Sequence, residues 1–379
     1  MDPAAPLAGA TSGGLRVAIL GTGLIGASLG MSLRRTDLVT EVIGYDADPV
    51  GLDTALQRGA IDHAAADAVD AVTDADIVVL AVPPSAIPAL AKDVAGHLAP
   101  GTILTDVGSV KRDIVQAMES AVGAGVHVVG GHPMAGSHEH GAVHAVSNLF
   151  VGATYLLTPT PRTDAAALQR MTDLVTAIGA RAVVVDTEAH DLLVAVVSHL
   201  PQLTATTLMT LAAERARRQD ARLLLLAGGG FRDATRVAAS NPQMWLDICR
   251  ENREAIVAVL DEYAARIGQL RMMLFEGDED RLVRLLTDAR EARQSLPGKE
   301  SVSGQLVELR ITIPDRPGAI AAITGCVSAL GVNIEDLGIE HAPDGQQGTM
   351  RLAVNGFEAA TAASEALVAK GYEVVERAS

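Results

Sequence analysis

The sequence predicts an α/β protein with three parts: an N-terminal Rossmann-like, doubly wound parallel sheet, an all-helical middle, and a small C-terminal βαββαβ unit. Three observations carry this. Short apolar runs alternate with helical stretches from Leu15 to Asp186, the rhythm of a parallel sheet covered by helices. From Thr187 to about Gln294 the composition turns to Ala, Leu, Arg and Glu, and strand-like alternation stops. After a Pro-, Gly- and Ser-containing stretch at 296–305, alternation returns. The expected divisions are therefore 15–186, 187–295, a linker at 296–305, and 306–379.

The bulk numbers agree. A chain of 379 residues is long enough for two or three domains. Hydrophobic content is 49% but aromatic content only 2%, so its cores are built from Ala, Val, Leu and Ile. The balance of 30 basic against 46 acidic residues gives a net charge of −16. Such a surface repels nucleic acid and anionic membranes, so neither is an expected partner, and an anionic small substrate needs a locally basic pocket. Cys249 and Cys326 lie far apart without metal-ligand spacing, so no metal and no disulfide is expected. The first fourteen residues lack a basic segment followed by an apolar one, and no apolar run reaches the length of a membrane span. The expectation is a cytoplasmic protein.

Taken in order, Leu15 to Leu20 is a short apolar strand feeding Gly21-Thr22-Gly23-Leu24-Ile25-Gly26 and an apolar helix from Ala27. Gly21 suits a tight turn, Gly23 lets backbone approach a pyrophosphate, and Gly26 lets helix and strand pack closely. The helix N-terminus then offers N–H groups and a positive dipole end to phosphate. A second strand, Glu41 to Asp46, ends in an acid about 20 residues past the last glycine, the spacing of a ribose-binding carboxylate. A carboxylate there repels a 2′-phosphate, so the expected cofactor is NAD rather than NADP. Asp48 is the neighbouring alternative for that acid.

The alternation continues with a strand from Asp76 to Pro83, a helix from Ser85 to His97, and a strand from Thr102 to Gly108. Ser109-Val110-Lys111-Arg112 opens the next helix. Val128-Val129-Gly130-Gly131-His132-Pro133-Met134-Ala135-Gly136 reads as a buried strand stopping at a glycine pair, and Thr154–Thr158 and Arg181–Asp186 as two further strands. In an open parallel sheet ligands bind beyond the strand C-termini. Val82-Pro83, Gly108-Ser109 and Gly131-His132 should therefore line one crevice. His132, titrating near neutrality, is the candidate general base. Beside a histidine at the same sheet edge, Ser109 is placed to orient the imidazole and a substrate oxygen, although as an isolated residue it reads first as a helix N-cap.

In the helical part, Glu188 to Glu214 is long and apolar, consistent with burial between subunits. Val197-Ser198-His199-Leu200-Pro201 interrupts it, because a proline cannot donate to the carbonyl four residues back and kinks the helix. The kink leaves Ser198 and His199 as polar groups on an apolar rod, although a buried, satisfied histidine is the plainer reading. Gly228-Gly229-Gly230 breaks the next helix, and Arg232 and Arg236 start another on a shared face. Arginine pairs bidentately with carboxylates, which suits an anionic substrate, while a surface pair between Arg232 and Asp233 is the alternative. Trp245, the only tryptophan, reads as core or interface.

The motifs together resemble the prephenate/arogenate dehydrogenases, the TyrA family. They are Gly-Thr-Gly-Leu-Ile-Gly-Ala-Ser-Leu-Gly at 21–30, Asp-Val-Gly-Ser-Val-Lys at 106–111, Gly-His-Pro-Met-Ala-Gly at 131–136, Ser-His-Leu-Pro at 198–201, and Gly-Phe-Arg-Asp-Ala-Thr-Arg at 230–236 with Met244-Trp245. The resemblance spans about residues 15–290. It implies NAD-dependent oxidative decarboxylation of prephenate to 4-hydroxyphenylpyruvate in tyrosine biosynthesis, with arogenate as the rival substrate. Matched residue by residue, His132 is the proton acceptor and Ser109 its hydroxyl partner. His199 binds substrate and Arg236 holds a substrate carboxylate. The family also implies a homodimer built through the helical domain. One departure stands out: where the family carries an acid after Ala135-Gly136-Ser137, this chain has His138, with Glu139 displaced by one and His140 following.

Beyond the linker, Leu306 to Pro314 alternates as a strand, and an apolar helix follows Asp315-Arg316-Pro317-Gly318. Strands at Asn333–His341 and Thr349–Val354 flank a Pro-Asp-Gly turn. A helix from Glu358 to Lys370 and a strand from Tyr372 to Glu376 complete βαββαβ. This unit resembles an ACT domain, a module that binds amino acids or serves only to dimerise. The resemblance makes Asp315, Pro317, Gly318 and Asn333 candidate effector ligands, with an amino acid such as tyrosine as the effector.

Overall fold

The computed structural model describes residues 14–136, 139–296, 306–341 and 347–378. The chain divides into two compact units, Met1–Arg284 and Leu285–Ser379. The first opens with β1 (Leu15–Leu20), α1 (Leu24–Leu33), β2 (Val39–Tyr45), α2 (Pro49–Gln57), β3 (His63–Ala64) and α3 (Ala68–Val72). Then come β4 (Ile77–Leu80), α4 (Ile87–Ala95), β5 (Ile103–Asp106), α5 (Arg112–Ala121), β6 (His127–Pro133), β7 (Thr154–Pro159), α6 (Ala165–Ala177) and β8 (Arg181–Val184). These strands form one eight-stranded sheet in the order β3-β2-β1-β4-β5-β6-β7-β8.

The sequence dictates this layering directly. β4 and β5 are buried at every position, because helices cover both faces of a parallel sheet and leave no polar side. Successive side chains point to opposite faces. Val17 and Ile19 join one core with Leu33, Phe150 and Met171, while Ala18 and Leu20 join the other with Ile87, Ile114 and Met118.

Two features depart from the sequence reading. The two-residue edge strand β3 is too short to leave a periodic signal. β7 runs antiparallel to β6, pairing Pro133 with Tyr155 and His132 with Leu156, so the sheet is parallel except at this one junction. Among the described residues between these strands the only helical segment is a 3-10 turn at Ala142–His144, and a return without a crossover α-helix brings β7 back alongside β6 in the opposite direction.

The helical part holds α7 (Thr187–Val194), a π turn at Ala195–His199, α8 (Leu200–Arg218), α9 (Gly229–Thr235), α10 (Pro242–Glu251), α11 (Arg253–Glu276) and α12 (Glu279–Gln294). The kink expected at Pro201 is this π turn. Leu200 N–H reaches back five residues to the Ala195 carbonyl, widening the helix where the proline ring would otherwise clash. Gly228 caps α9 and the other two glycines lie inside its first turn, so they do not all break the helix. Arg232 falls in α9, whereas Arg236 opens a separate 3-10 turn at Arg236–Ala239.

The core of this part is small, centred on Ala195, Ile248, Ile256 and Val259. Leu192, Leu193, Val196, Val197, Leu225 and Phe275 are exposed in the single chain. The helical run Thr187–Arg218 is long and apolar enough, by length and composition alone, to cross a membrane, which corrects the expectation that no apolar run reaches that length. Twelve of its residues from Thr187 to Ser198 nevertheless include a buried His–Asp pair that the site below uses.

The second unit follows the expected element order: β9 (Leu306–Pro314), α13 (Ala319–Ser328), β10 (Ile334–His341), β11 (Gln347–Asn355), α14 (Phe357–Ala369) and β12 (Val374–Ala378). The sheet is antiparallel, in the order β10-β11-β9-β12. Val307, Leu309, Ile311 and Ile313 of β9 pack on Ile323, Val327, Ala363 and Leu367 of the two helices. The Pro-Asp-Gly turn and most of the linker lie outside the described residues, as does His138.

Candidate active site

The nucleotide end is built by the turn after β1. Gly21 has φ +100°, and a side chain there would meet the Ala81 carbonyl oxygen at 2.4 Å; one at Gly26 would meet the Gly21 carbonyl oxygen at 1.9 Å. At Gly23 a Cβ would meet nothing within 4 Å. The outer glycines are thus fixed by close packing and the middle one opens onto free space, as a pyrophosphate cradle requires. Gly23 caps α1, whose first turn holds no acid, so its orphan N–H groups and positive dipole end are available to an anion.

Asp46 closes the other side of this turn. Its Oδ2 accepts the Thr22 N–H at 2.7 Å and the Thr22 hydroxyl at 3.3 Å, and its Oδ1 accepts the Asp48 N–H at 2.9 Å. Asp48 is the N-cap of α2, accepting from Val50 N–H. Of the two acids, Asp46 is the one tied to the glycine turn. Val82 and Pro83 lie just beyond the end of β4, and Val82 Cγ1 lies 2.9 Å from a Cβ placed on Gly21. These residues fit a dinucleotide: an open glycine, a helix N-terminus without acid, and a carboxylate at the next strand end.

The reactive end gathers around His132, 9% exposed on β6. Its Nδ1 lies 2.9 Å from His190 Nε2, and His190 Nδ1 lies 2.8 Å from Asp191 Oδ1. Asp191 also accepts the Lys111 N–H at 2.7 Å and the Arg112 N–H at 3.0 Å, which pins α7 to the N-terminus of α5. The buried Lys111 ammonium, whose charge acts on the imidazole, pairs with Asp106. Asp106 further accepts the Gly108 N–H at 2.8 Å and the Gly131 N–H at 3.1 Å. Gly131 is required here, because a Cβ would stand 2.5 Å from the Asp106 carbonyl oxygen.

Burial and then the Lys111 charge, with smaller contributions from His190 and His199, hold the His132 pKa well below 6.5. His132 is therefore neutral at pH 7. His199, at the end of the π turn, is also buried, and burial pushes its pKa down to about 4. Its Nδ1 lies 3.2 Å from Asn252 Nδ2, which also donates to the Asp191 carbonyl at 2.8 Å. Trp245 meets the His199 ring edge-on at 5.8 Å.

The structure thus brings His132 and His199 to opposite ends of one hydrogen-bonded cluster. Ser109 is half-buried in the turn between β5 and α5, which begins only at Arg112. It caps no helix, and among the described residues no hydrogen bond joins it to His132. The partner of His132 Nδ1 is His190, so Ser109 does not orient the imidazole through that nitrogen. Arg232 and Arg236 are exposed; Arg232 Nε donates to the Ala227 carbonyl, and neither guanidinium bonds to His132 or His199. The turn carrying Arg236 ends in Ser240, whose hydroxyl lies 3.4 Å from Gln202 of α8, three residues beyond His199. Glu139 pairs with His144 at 3.3 Å, and His140 lies 2.9 Å from Asn241 Nδ2. Gly136 lies toward the nucleotide end: a Cβ on it would stand 3.9 Å from Ile25 Cδ1.

Sequence reasoning missed His190, Asp191, Asn252, Lys111 and Asp106. The signal for the first two was a His-Asp pair inside an apolar helix. In the second unit, a cavity of about 50 Å³ is lined by Ile313, Pro314, Asp315, Arg316, Ala319, Ile320, Ile339 and Gly348. It includes Asp315 of the expected effector ligands. Gly318 starts α13 with φ +89°, and the Asn333 amide donates to Glu335 at 2.9 Å.

Comparison with known proteins agrees with this geometry. Residues 29–184 match the family described as prephenate dehydrogenase, nucleotide-binding domain, and residues 186–288 match prephenate dehydrogenase, dimerization domain. The chain is 30% identical to a prephenate dehydrogenase of Bacillus subtilis, over 89% of this chain and 91% of that protein. The crystal structure of Aquifex aeolicus prephenate dehydrogenase in complex with hydroxyphenyl propionate and NAD+ superposes with a TM-score of 0.69 at 31% identity, covering 76% of this chain and all of that one. Synechocystis arogenate dehydrogenase gives a TM-score of 0.67 at 31% identity, over 75% of this chain and all of that one. With a glycine cradle, a buried neutral histidine and two matched domains in order, the chain belongs to the prephenate dehydrogenase family.

Proposed function

We propose that the chain is an NAD-dependent prephenate dehydrogenase that works as a soluble, cytoplasmic homodimer. The observation that carries the chemistry is a buried imidazole, neutral at pH 7, whose Nδ1 is already engaged and whose Nε2 is left for substrate. NAD, when bound, supplies the hydride acceptor. His132 Nε2 takes the proton of the ring hydroxyl as the carbon bearing it is oxidised. Loss of the ring carboxyl as CO2 sends its electron pair into the ring, which becomes aromatic and returns negative charge to the same oxygen. The His132 imidazolium then gives the proton back. One hydride and one CO2 leave the substrate, and one proton is lent and returned, so atoms and charge balance.

The rest of the chain positions substrate. His199 donates to a substrate oxygen, Arg236 pairs with a carboxylate, and Arg232 adds positive charge to an otherwise acidic surface. Ser109 lies at the same sheet edge to bond the reacting hydroxyl. Asp46 holds the ribose, with Thr22, Leu24, Ile25, Val82 and Pro83 around the dinucleotide. The exposed apolar side chains of α7, the π turn and α11 suit burial against a second copy. The C-terminal unit acts as an ACT module, taking an amino acid such as tyrosine near Asp315, Pro317, Gly318 and Asn333.

The test is NADH formation with prephenate and with arogenate as separate substrates, each with and without tyrosine. Faster turnover of prephenate supports the proposal. Turnover of arogenate alone would replace it with arogenate dehydrogenase, and turnover of neither would remove it.

A further inference from the structure

We propose that Asp191 sets the tautomers of both imidazoles in the site, acting through His190 on His132 and through Asn252 on His199. The inference deepens the proposed function and rests on His132 being its base. The first arm starts at the carboxylate. Burial pushes the Asp191 pKa up, but the His190 hydrogen bond and the Arg112 and Lys111 N–H groups outweigh it, leaving the pKa below its ordinary value. An ionised carboxylate only accepts, so His190 Nδ1, 2.8 Å from Oδ1, carries a hydrogen. In a neutral imidazole the other nitrogen is then bare. His190 Nε2 therefore accepts, and His132 Nδ1, 2.9 Å away, donates. His132 Nε2 keeps its lone pair.

The second arm starts at the Asp191 backbone. A carbonyl also only accepts, so the Asn252 amide must turn its Nδ2 toward it, at 2.8 Å. The second hydrogen of Nδ2 faces His199 Nδ1 at 3.2 Å, which makes that nitrogen an acceptor. In neutral His199 the hydrogen is then on Nε2. One residue thus fixes a bare Nε2 on one ring and an Nε2–H on the other, a proton acceptor and a hydrogen-bond donor for one substrate. Asp191, His190 and Asn252 are positioning residues in this scheme, since none of them has to touch substrate.

Asp191→Asn in the full chain tests it. Oδ1 both accepts the Lys111 N–H and faces His190 Nδ1, while Oδ2 accepts the Arg112 N–H. The new NH2 in the Oδ1 place therefore donates to His190 Nδ1, the remaining oxygen serves Arg112, and the Lys111 N–H loses its acceptor. That nitrogen must then accept, so His190 Nε2–H donates to His132 Nδ1 and His132 carries its hydrogen on Nε2. The backbone carbonyl is unchanged, so His199 keeps its tautomer. The expected result is a kcat lower by ~10²–10⁴-fold, the order seen when a triad carboxylate is made an amide. The substrate KM should stay within about threefold, because ground-state binding is retained. Tautomers are read independently from long-range ¹H–¹⁵N spectra of [¹⁵N]histidine-labelled protein near pH 7, with His132→Gln and His199→Gln assigning the signals. The parent should show a bare His132 Nε2 and a protonated His199 Nε2, and Asp191→Asn should switch His132 alone.

A folded Asp191→Asn protein with kcat within threefold of the parent would overturn the proposal, as would a parent spectrum with hydrogen on His132 Nε2. If that variant does not fold, the parent spectrum decides. If the parent oxidises neither prephenate nor arogenate, the proposed reaction falls while the spectrum still judges the tautomers.

Discussion

Replacing Lys111 by Met separates two consequences of one buried charge. The Lys111 and Asp106 side chains are both 0% exposed and pair with each other. Without the ammonium, Asp106 keeps only the Gly108 and Gly131 N–H groups and becomes an uncompensated buried carboxylate. Breaking such a pair costs about 3–5 kcal/mol, which for a domain of this size lowers Tm by roughly 10 °C. Asp106→Asn in the Lys111→Met background removes the stranded charge while keeping an acceptor, and should recover about half of the loss. The second consequence is kinetic. Lys111 is the leading charge that lowers the His132 pKa, after burial; its removal raises that pKa, so the acid limb of kcat/KM moves to higher pH. Thermal melts and a pH–rate profile on the single and double variants measure both. A Lys111→Met protein that melts within about 2 °C of the parent with an unmoved acid limb would refute the reasoning.

Four other outcomes follow from the same geometry. His132→Asn should lower kcat by ~10²–10⁴-fold and leave NAD affinity unchanged by calorimetry. Arg236→Ala should raise the substrate KM more than it lowers kcat, since a carboxylate contact persists from ground to transition state; steady-state kinetics checks this. Gly26→Ala forces a Cβ to 1.9 Å from the Gly21 carbonyl oxygen, so NAD affinity should fall at least ~10-fold as the cradle is displaced, read by fluorescence quenching of the nucleotide. For His199, the folded pKa is about 4 against an unfolded value near 6.5. The unfolded state binds the proton first, so stability falls as pH drops through that window, by up to about 3 kcal/mol at pH 4. Urea denaturation of His199→Gln should show a shallower loss on acidification than the parent.

Much of the architecture could be read before any coordinates. The strand–glycine turn–helix at 15–33 and the acid at 46 carry local signals, because each needs particular residues at fixed spacing. His132 was visible for the same reason, as the one imidazole after a glycine pair at a strand end. The cluster behind it was not. His190 and Asp191 sit 58 and 59 residues from His132, and Asn252 sits 53 from His199. Their roles come from α7 docking on the N-terminus of α5 through the Asp191 carboxylate, a through-space event that a His-Asp pair inside an apolar helix marks as unusual but does not place. Ser109 differs from its reading in a narrower way. It caps no helix, since α5 starts three residues later, and the partner of the imidazole Nδ1 is His190 rather than Ser109.

The antiparallel junction at β6–β7 explains why His132 is a neutral base rather than an ordinary strand-end histidine. In a wholly parallel sheet the end of β6 would face open crevice, and its imidazole would keep water on several sides. β7 instead starts beside the end of β6, so Tyr155 pairs with Pro133, Leu156 pairs with His132, and Met134 N–H donates to the Thr154 carbonyl at 2.8 Å. The strand therefore continues through His132 and closes over it. That burial is the largest cause of its lowered pKa, and it lets a 2.9 Å contact to His190 outcompete water. The one departure from the parallel pattern thus supplies the desolvation on which the base depends. A variant that unpairs this junction, such as Leu156→Pro, should raise the His132 pKa toward 6.5 before it abolishes folding. An acid limb of kcat/KM that stays in place in such a variant, with the sheet junction opened by hydrogen exchange, would show that the charges of Lys111 and His190 do this work without the burial.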